Sequence, residues 1–544
     1  MKSKRFLTML LTLIILLTSS FTSLAVGIDE VSVYDEVKNV IILIPDGMSS
    51  DAVTLARWYN GGKPLNLDEL AVGMVRTYSS DAPIADSAPA ATAMATGYKS
   101  HTGYIGVLPD VNTMPGLSPI ENGNEKMPIA NLLEAARLSG RATGIISTSE
   151  IMHATPASFS AHDPSRKNYD SISEQQVYQG IDVVLGGGTS FFRKELRKDK
   201  EDLISEIKKE YNFVTTLTEL NNVKEGKVWG MFGEEALSYD FDRDQKNEPS
   251  LAEMTAKAIE ILSKNEKGFF LMVEGSKIDW AAHANDPIGL ISDILAFDKA
   301  VGEALKFAKS DGNTLVIAAS DHGNSGITIG NANTSSNYDK LPLSAFLDPL
   351  KKAELTGEGI EKHLNDDKSN VRDVMRKYYG INDLTNEEVE QIKNTKSGSM
   401  NYTVGPMIAK RANIGFTTNG HTGEDVTLYV YAPKNIDLLT GVIENTDIAK
   451  YAEKAMGLDL NETSKKLFVW SRGEFEALGA EVQFDNLTDP KNPVLIVTKG
   501  DIKLEMPINK NIAYVNGEIV KLDGVVVYNG IKTYVPQSAL ELVK

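Results

Sequence analysis

The sequence predicts an α/β fold in which a mostly parallel central sheet is flanked by helices on both faces, followed by a small C-terminal β-rich domain. Apolar stretches typical of buried strands alternate with helical stretches over most of the chain. Polar side chains follow the ends of several of these strands. Short alternating segments replace this pattern near the end of the chain, and a length of 544 residues also favours two or more domains.

The predicted elements of the sheet follow one another in order. The first strand is NVIILIP at 39–45. NLLEAARLSG at 131–140 predicts a helix that ends at Gly140, and RATGIIST at 141–148 predicts the strand after it. The same alternation returns in GFFLMVEG (268–275), DILAFDKAVGEALKFAKSDG (293–312), NTLVIAAS (313–320) and DVTLYVYAP (425–433).

Two changes in composition divide the chain. Residues 331–400 are polar and rich in Asn, Asp and Lys, which indicates an insertion and not a second catalytic core. After about Leu467 the chain changes to short alternating segments. We therefore assign residues 30–464 to a catalytic domain and residues 465–544 to a small separate domain.

The first residues have the pattern of a secretory signal peptide. Lys2, Lys4 and Arg5 precede an apolar run at 6–17, and small residues mark a cleavage point near Ala25. The alternative, an uncleaved membrane anchor, is disfavoured because the run is shorter than the roughly 20 residues that span a bilayer. We expect residues 1–25 to be removed, leaving a secreted or surface-associated protein without a transmembrane anchor.

Charge and cysteine content exclude several classes of protein. Cleavage would remove three basic residues and no acidic one, which takes the formal net charge from −18 to −21. Such a chain repels nucleic acid, so no nucleic-acid binding is expected. There are no cysteines, so neither disulfides nor a lipid-modified cysteine can form. An anionic substrate would need positive charge concentrated at its site.

Acidic and imidazole side chains follow the predicted strands. Asp46, Glu274, Asp321 and His322 all fall near strand ends. In open parallel sheets that edge is where sites form. Each residue alone is compatible with an ordinary turn, but their shared position favours one common site.

Two further motifs carry histidines, of which the chain has seven. IDWAAHAND places Asp279 and His283 four residues apart, on one face of a helix, so that both reach one metal ion. NGHTGED places His421 in a glycine-flanked loop. Taken singly, these are a solvated helix pair and a loop residue. Together with the strand-end residues, carboxylates and imidazoles without cysteine favour catalytic zinc.

The stretch IADSAPAATAMATG at 84–97 holds a lone hydroxyl, Ser87, at the start of a predicted helix of small residues. A helix-capping serine would account for this position alone. The positive end of the helix dipole and metal coordination could also stabilise a serine alkoxide, and the small neighbours leave space beside the hydroxyl.

Six motifs give the chain a clear resemblance to the bacterial alkaline phosphatases, from Val40 to Ala432. They are PDGM, DSAPAATAMATG, STSEIMHATPASFSAHDPSR, VEGSKIDWAAHAND, SDHGNSG and GHTGED. The resemblance implies an enzyme that hydrolyses phosphate monoesters through a phosphoserine at Ser87, with two zinc ions and one magnesium ion. It also implies a homodimer.

The resemblance assigns the ligands residue by residue. They are Asp279, His283 and His421 for the first zinc, Asp46, Asp321 and His322 for the second, and Asp46, Thr155 and Glu274 for magnesium. Arg166 matches a phosphate-clamping arginine, whose planar fork suits two phosphate oxygens. His153 and Trp280 stand where some members have Asp and Lys, which affects the third metal and phosphate binding.

The last 80 residues resemble the small domain named after the N-terminal part of copper amine oxidase. Residues 465–544 contain neither His nor Cys, so they lack good copper ligands. A contact with the cell wall or another protein, and a passive folded appendage, both stay open.

Two other functions are alternatives to the phosphomonoesterase. A phosphodiesterase or sulfatase of the same superfamily is disfavoured by Ser87 and Arg166, and an inactive surface-binding protein is disfavoured by the complete ligand set. The remaining histidines, His101, His162 and His363, are assigned no chemistry.

Overall fold

The computed structural model describes residues 36–544, so the predicted signal peptide lies outside the described residues. The strands before residue 445 are, in chain order, β1 (Asn39–Ile44), β2 (Ala71–Arg76), β3 (Ala142–Glu150), β4 (Val183–Gly187), β5 (Asn212–Val214), β6 (Val228–Met231), β7 (Phe269–Glu274), β8 (Thr314–Ala319), β9 (Gly323–Asn324), β10 (Thr328–Ile329), β11 (Ile414–Gly415), β12 (His421–Thr422), β13 (Val426–Tyr431) and β14 (Gly441–Glu444).

Ten of these strands form one central sheet in the order β14-β2-β13-β8-β1-β7-β3-β4-β6-β5. Among the strands described, β13 alone runs opposite to the rest, being antiparallel to both β8 and β2. The prediction of a mostly parallel sheet is confirmed. The site-bearing strands β8, β1 and β7 lie side by side near its middle.

The helices of this part of the chain are, in order, α1 (Ser50–Tyr59), α2 (Ser87–Thr96), α3 (Leu132–Leu138), α4 (Ala154–Ser158), α5 (Tyr169–Tyr178), α6 (Leu203–Glu210), α7 (Leu217–Asn222), α8 (Leu251–Leu262), α9 (Lys277–His283), α10 (Pro287–Asp311), α11 (Ser344–Leu347), α12 (Gly357–Glu361), α13 (Val371–Tyr378), α14 (Asn386–Asn394), α15 (Met400–Arg411) and α16 (Asn445–Ala455).

Helices cover both faces of the sheet, as predicted. Ile41 and Leu43 of β1 join the core cluster that contains α1, α8 and α10. The alternate residue Ile42 points to the other face and is also fully buried. On β7, Phe270 stacks on Phe159 at the end of α4, with ring centroids 6.0 Å apart. Because both faces of the sheet are buried, successive residues of each strand are apolar.

Helix α10 is longer than the sequence pattern indicated. It begins at Pro287 instead of near residue 293, because Asp286 caps it by accepting a hydrogen bond from Ile288 N at 2.9 Å. Proline at the first position suits a helix start, since its missing N–H would have no partner there. The helix ends at Gly312, whose φ of +71° is left-handed.

The segment 331–400 contains the short helices α11–α14. Its apolar residues Leu350, Ile360 and Val371 join the core cluster of the catalytic domain. It therefore packs on the main core instead of forming one of its own. Among the described residues, none of the helices combines the length and apolar character needed to cross a membrane.

The C-terminal elements are α17 (Leu460–Leu467), β15 (Val469–Trp470), α18 (Ser471–Ala477), β16 (Glu481–Asp485), β17 (Val494–Lys499), β18 (Ile502–Pro507), β19 (Ile512–Val515), β20 (Glu518–Lys521), β21 (Val527–Tyr528), β22 (Thr533–Val535) and α19 (Gln537–Glu541). Strands β16 to β20 form an antiparallel five-stranded sheet and β15, β22 and β21 a three-stranded one. The predicted β-rich domain is confirmed.

This domain has its own core and also shares one with the catalytic domain. Phe475, Leu495 and Leu504 belong to a cluster drawn from the C-terminal residues. A second cluster joins Phe468 and Val527 to Ala130 of the catalytic part. The two domains are thus held together by apolar burial as well as by hydrogen bonds.

Candidate metal centre and nucleophile

The site lies at the carboxyl edge of the central sheet. Asp46 and Asp321 each come two residues after a strand end, and Glu274 is the last residue of β7. Because their strands β1, β8 and β7 are neighbours, the three carboxylates converge. All three are fully buried.

Asp279, His283 and His421 form the first of three clusters with metal-ligand spacing. His283 Nε2 lies 3.3 Å from Asp279 Oδ2 and 3.2 Å from His421 Nε2. Asp279 and His283 are on α9, four residues apart as the sequence indicated. His421 was predicted in a loop but is the first residue of the short strand β12, whose antiparallel pairing with β9 brings it to the same point.

Backbone carbonyls fix which nitrogen of each imidazole faces the cluster. His283 Nδ1 lies 2.6 Å from Asn419 O, and His421 Nδ1 lies 2.7 Å from Ala85 O. A carbonyl oxygen can only accept, so Nδ1 must carry the proton and donate it. Both Nε2 lone pairs then point at one position, which favours a cation between them.

The second cluster consists of Asp46, Asp321 and His322. His322 Nε2 lies 3.2 Å from Asp321 Oδ2 and 3.5 Å from Asp46 Oδ1. The same nitrogen lies 3.1 Å from Ser87 Oγ. His322 Nδ1 faces the carbonyl of Gly323 at 3.2 Å. The cluster and the candidate nucleophile therefore share one centre.

Ser87 is the first residue of α2 and is 2% exposed. The capping position belongs to its neighbour Asp86, so Ser87 is not the N-cap. Every residue of α2 is buried, which accounts for its small side chains. The hydroxyl thus sits at the positive end of a helix dipole and beside the second cluster.

The third cluster consists of Asp46, His153 and Glu274. Thr155 Oγ1 lies 3.5 Å from Asp46 Oδ2, so Thr155 borders it as well. Ser147 donates a hydrogen bond of 2.5 Å to Glu274 Oε2. Asp46 belongs to both the second and the third cluster and joins them.

The buried carboxylates of the three clusters would be stabilised by bound cations. Burial, followed by the charges of Asp321 and Asp279, raises the pKa of Asp46 well above its usual value. Burial raises the pKa of Glu274 to about 7, although hydrogen bonds from Ser147 and Ser276 oppose this. Buried carboxylates without counter-ions are costly, and a bound metal ion would remove that cost.

Asp279 behaves differently because imidazoles surround it. Burial, the largest effect, acts to raise its pKa, but the neighbouring imidazoles, His283 first and then His322 and His421, hold that pKa well below its usual range when they are protonated. Asp279 is therefore ionised and ready to bind a cation.

Several carboxylate oxygens of the clusters are left without partners. Asp46 Oδ1, Asp321 Oδ2 and Glu274 Oε1 are buried and accept no hydrogen bond among the described residues. Buried polar atoms in proteins almost always have partners. Orphaned oxygens that face one another in this way fit metal ligation, so the residues present are compatible with bound metal ions.

Arg166 is held at the edge of the site by two contacts. Its Nη1 donates to Asp86 Oδ1, and its Nη2 lies 3.1 Å from His153 Nε2. Burial, together with the charge of Arg166, lowers the pKa of His153 to about 3, so its ring is neutral. Because Nε2 accepts from Arg166, the proton of His153 is on Nδ1.

Trp280 lies on the other side of His153, with ring centroids 6.0 Å apart in an edge-to-face arrangement. Lys277 Nζ lies 4.6 Å from the centroid of the Trp280 ring. The same ammonium forms an ion pair of 3.0 Å with Glu358, which belongs to the 331–400 segment. That segment therefore reaches the border of the site.

Sequence reasoning missed several supporting residues. Asn324 Nδ2 donates a hydrogen bond of 2.6 Å to Asp279 Oδ1. Asp86 holds Arg166, and Ser147 and Ser276 surround Glu274. Asn324, Asp86 and Ser276 lie inside the motifs quoted above, next to the assigned residues, so adjacency was the available signal.

Gly47 lies so close to Asp279 that a larger residue would not fit there. Gly47 has a φ of +67°, and a Cβ there would lie 2.6 Å from Asp279 Oδ1. Its N–H lies 3.2 Å from Asp321 Oδ1, to which it donates. Gly47 thus lets the backbone pass between two ligands of different clusters.

The histidines without assigned chemistry lie away from the clusters. His162 is buried with Nδ1 at 2.8 Å from Gly106 O and Nε2 at 2.9 Å from Glu134, so both ring nitrogens are satisfied. His101 contacts Asp81, and His363 stacks on the ring of Tyr378.

Two family models match the chain. Residues 37–458 match the model described as alkaline phosphatase. Residues 460–542 match the model described as copper amine oxidase N-terminal domain.

Known proteins agree with the first of these matches. Alkaline phosphatase 4 of Bacillus subtilis is 38% identical over 441 residues, which cover 77% of this chain and 89% of that protein. The cold-active alkaline phosphatase of Shewanella sp. matches with a TM-score of 0.66 and 30% identity, over 77% of this chain and 99% of that one. A third match is a variant of the alkaline phosphatase of the Antarctic bacterium TAB5, in which a histidine is replaced by glutamate and Mg is bound in the M3 site. Its TM-score is 0.56 and its identity is 28%, over 78% of this chain and 99% of that one.

Proposed function

Since this chain belongs to the alkaline phosphatase family and is a phosphoric monoester hydrolase, we propose that it is an exported enzyme that forms a phosphoserine at Ser87 and requires two zinc ions and one magnesium ion. The family as a whole is metal-dependent. The observation that carries the proposal is that three ligand clusters adjoin one another and that the second of them contacts the buried hydroxyl of Ser87.

The three clusters would hold the metal ions in the way the sequence motifs suggest. The residues are Asp279, His283 and His421 for one zinc, Asp46, Asp321 and His322 for the other, and Asp46, Thr155 and Glu274 for magnesium. When bound, these ions would supply positive charge that stabilises the serine alkoxide and the departing alkoxide.

Ser87 is proposed to act as the nucleophile. Its Oγ bonds to phosphorus as the ester P–O bond breaks and the alcohol departs; water then adds to phosphorus, and the P–Oγ bond breaks to release inorganic phosphate. The start of α2 favours negative charge on Oγ, and the small neighbours Ala88 and Ala90 leave space beside it. Asp86, the residue before Ser87, accepts a hydrogen bond from Arg166.

Arg166 is proposed to bind the phosphate oxygens. Its guanidinium is about one-quarter exposed and is held by Asp86 on one nitrogen. A planar fork of N–H donors suits a terminal phosphoryl group, which offers several free oxygens. A diester offers fewer, so the arginine favours monoesters.

His153 is proposed to border the magnesium site without binding the ion directly. Its Nδ1 carries the proton, and a protonated nitrogen cannot ligate a metal. The remaining ligands at that cluster are oxygens, which magnesium prefers. In the TAB5 relative, a variant in which glutamate replaces a histidine has Mg in its M3 site. We infer that His153 holds a comparable place here.

Export and assembly complete the proposal. The basic and apolar pattern of residues 1–25 supports secretion or attachment at the cell surface. Contact with the cell wall through the C-terminal domain, and a homodimer, stay predictions.

One set of assays tests the function. The purified protein is given a phosphate monoester, a phosphate diester and a sulfate ester, before and after chelation and after zinc and magnesium are restored. We expect hydrolysis of the monoester to dominate, to be lost on chelation and to return with metal. Preference for the diester or the sulfate ester would overturn the proposal.

A further inference from the structure

The C-terminal domain forms one wall of a cleft that begins at Arg166. The cleft has a volume of about 790 Å³, and its catalytic-domain wall runs from Arg166 along the start of α5. Tyr528 and the loop at 490–493 form the opposite wall. A space of this size accommodates a ligand of drug or nucleotide size. It is therefore open to the part of a substrate that extends past the phosphate-binding arginine.

The walls carry flat apolar surfaces. Tyr169 and Phe191 meet edge to face with centroids 5.1 Å apart on the catalytic side. Tyr528 lines the cleft from the C-terminal domain, packs on Phe484 with ring centroids 4.6 Å apart and donates a hydrogen bond of 2.9 Å to Gly530 O. Aromatic rings that line a cleft from both domains favour a planar group within it.

The cleft presents three ammonium groups that have no carboxylate partner in the described part of the chain. Lys167, Lys198 and Lys491 line it, and none of their ammonium groups has a carboxylate within 4.0 Å among residues 36–544. Four carboxylates line the cleft as well. Glu174 and Asp199 pair with Lys510 and Arg197, Asp163 is buried and accepts hydrogen bonds from Ser165 N and Asn168 Nδ2, and Asp170 accepts one from Lys198 N. An anion in the cleft would therefore pair with Lys167, Lys198 or Lys491, the last of which belongs to the C-terminal domain.

The C-terminal wall is fixed in position and does not merely lie nearby. Lys510 pairs with Glu174 at 3.4 Å and with Glu201 at 2.9 Å, across the boundary between the domains. Asn509 Nδ2 donates to Glu174 Oε2 at 3.0 Å, and Asn492 Nδ2 donates to the carbonyl of Asp199 at 3.0 Å. These buried and half-buried contacts hold the 490–493 loop against the catalytic domain.

We propose that this cleft is a leaving-group subsite, and that the C-terminal domain thereby selects phosphate monoesters whose alcohol part carries a planar ring and a further negative charge. A nucleoside bisphosphate is such a compound. This inference rests on the proposed phosphomonoesterase activity. The ring would lie between Tyr528 and the Tyr169–Phe191 pair, and the second phosphate would meet Lys491.

The test compares three monoesters with the full-length, metal-loaded protein: glycerol phosphate, adenosine 5′-monophosphate and adenosine 3′,5′-bisphosphate. Lys491→Glu should lower kcat/KM for the bisphosphate about tenfold and leave glycerol phosphate unchanged, and added salt should reduce the difference. Lys466→Glu, a charge reversal in the same domain away from the cleft, is the matched control.

The ring contact is tested separately. Tyr528→Leu should lower kcat/KM for both adenosine esters about fivefold, whereas Tyr528→Phe keeps the ring and should match the unaltered protein. Calorimetric binding of a nonhydrolysable bisphosphonate analogue of the bisphosphate should weaken in parallel.

The outcomes separate this inference from the proposed function. If the unaltered protein hydrolyses glycerol phosphate but Lys491→Glu and Tyr528→Leu change all three esters equally, or none, the subsite is excluded and the activity stands. If the metal-loaded protein hydrolyses none of the three esters, the phosphomonoesterase proposal fails, and the subsite with it.

Discussion

The histidines of the first two clusters and the histidine of the third are held in opposite ways. His283, His421 and His322 each turn Nδ1 to a backbone carbonyl, at 2.6, 2.7 and 3.2 Å, and direct Nε2 into the site. His153 instead uses Nε2 to accept from Arg166, and its Nδ1 has no partner among the described residues.

This difference separates two kinds of metal site. In the first two clusters backbone carbonyls fix the imidazole tautomer whose Nε2 is free to bind the proposed zinc ions, so these nitrogens are oriented before any ion binds. In the third cluster His153 Nε2 accepts a hydrogen bond from Arg166, the proposed phosphate-binding residue, so the atoms free to bind an ion directly are oxygens. We therefore expect the first two clusters to bind zinc tightly, and we expect the identity and affinity of the metal at the third cluster to change more easily.

The largest expected effect comes from removing the nucleophile that the second cluster borders. Ser87→Ala should reduce turnover at least about a thousandfold, because no phosphoserine can form. Both zinc ions should still bind, since every other ligand is retained. Acid-quenched labelling with a radioactive ester measures the intermediate, and metal analysis of the same sample serves as the control. A labelled phosphoserine in the variant would show that another residue is the nucleophile.

The next experiment contrasts one histidine from each kind of site. His421→Ala should lose one zinc ion and about a hundredfold in activity, because its Nε2 faces the first cluster. His153→Ala should keep both zinc ions and lose less than about tenfold. Zinc content and activity are measured on both variants. Equal loss of zinc would mean that the tautomer argument does not distinguish the sites.

Arg166 connects the two kinds of site because it contacts Asp86 next to the nucleophile and His153 at the third cluster. Arg166→Ala should cost roughly 1.5–3 kcal/mol of transition-state stabilisation for a monoester, and less for a diester. The kcat/KM values for both substrates decide this. A Lys at the same position is the informative control, since it keeps the charge but not the fork. Equal losses on both substrates would remove the argument for monoester preference.

The smallest effects concern the surroundings of the third cluster. His153→Asp should add a carboxylate ligand and make activity depend on lower magnesium concentrations. Trp280→Lys should tighten inhibition by inorganic phosphate about threefold, because Trp has no charge and the nearby Lys277 is already paired with Glu358.

Magnesium titration and phosphate inhibition are measured for each variant and for the double variant. If the phosphate inhibition constant is unchanged in all of them, these positions do not govern product release. Unchanged magnesium dependence in His153→Asp would show that residue 153 does not border the metal.

Much of the site was predictable because parallel strands impose a shared edge. Asp46, Glu274 and Asp321 are far apart in sequence, yet each follows a buried apolar run, and strand ends of a parallel sheet meet. Asp279 and His283 followed from helical spacing. Helix α10 begins at Pro287, six residues before the predicted start at 293, because Asp286 caps it and Pro287 suits the first position.

The fold class, the ligand types and the presence of a second domain can be predicted from the sequence, since they depend on local periodicity, residue chemistry and composition. Which imidazole nitrogen faces each cluster depends on tertiary contacts, because Asn419 and Ala85 act through backbone carbonyls, which every residue has. The tertiary structure alone also brings Tyr528 and Lys491 within one cleft with Arg166. Contacts between distant segments depend on how the domains pack, and that packing has no local pattern in the chain.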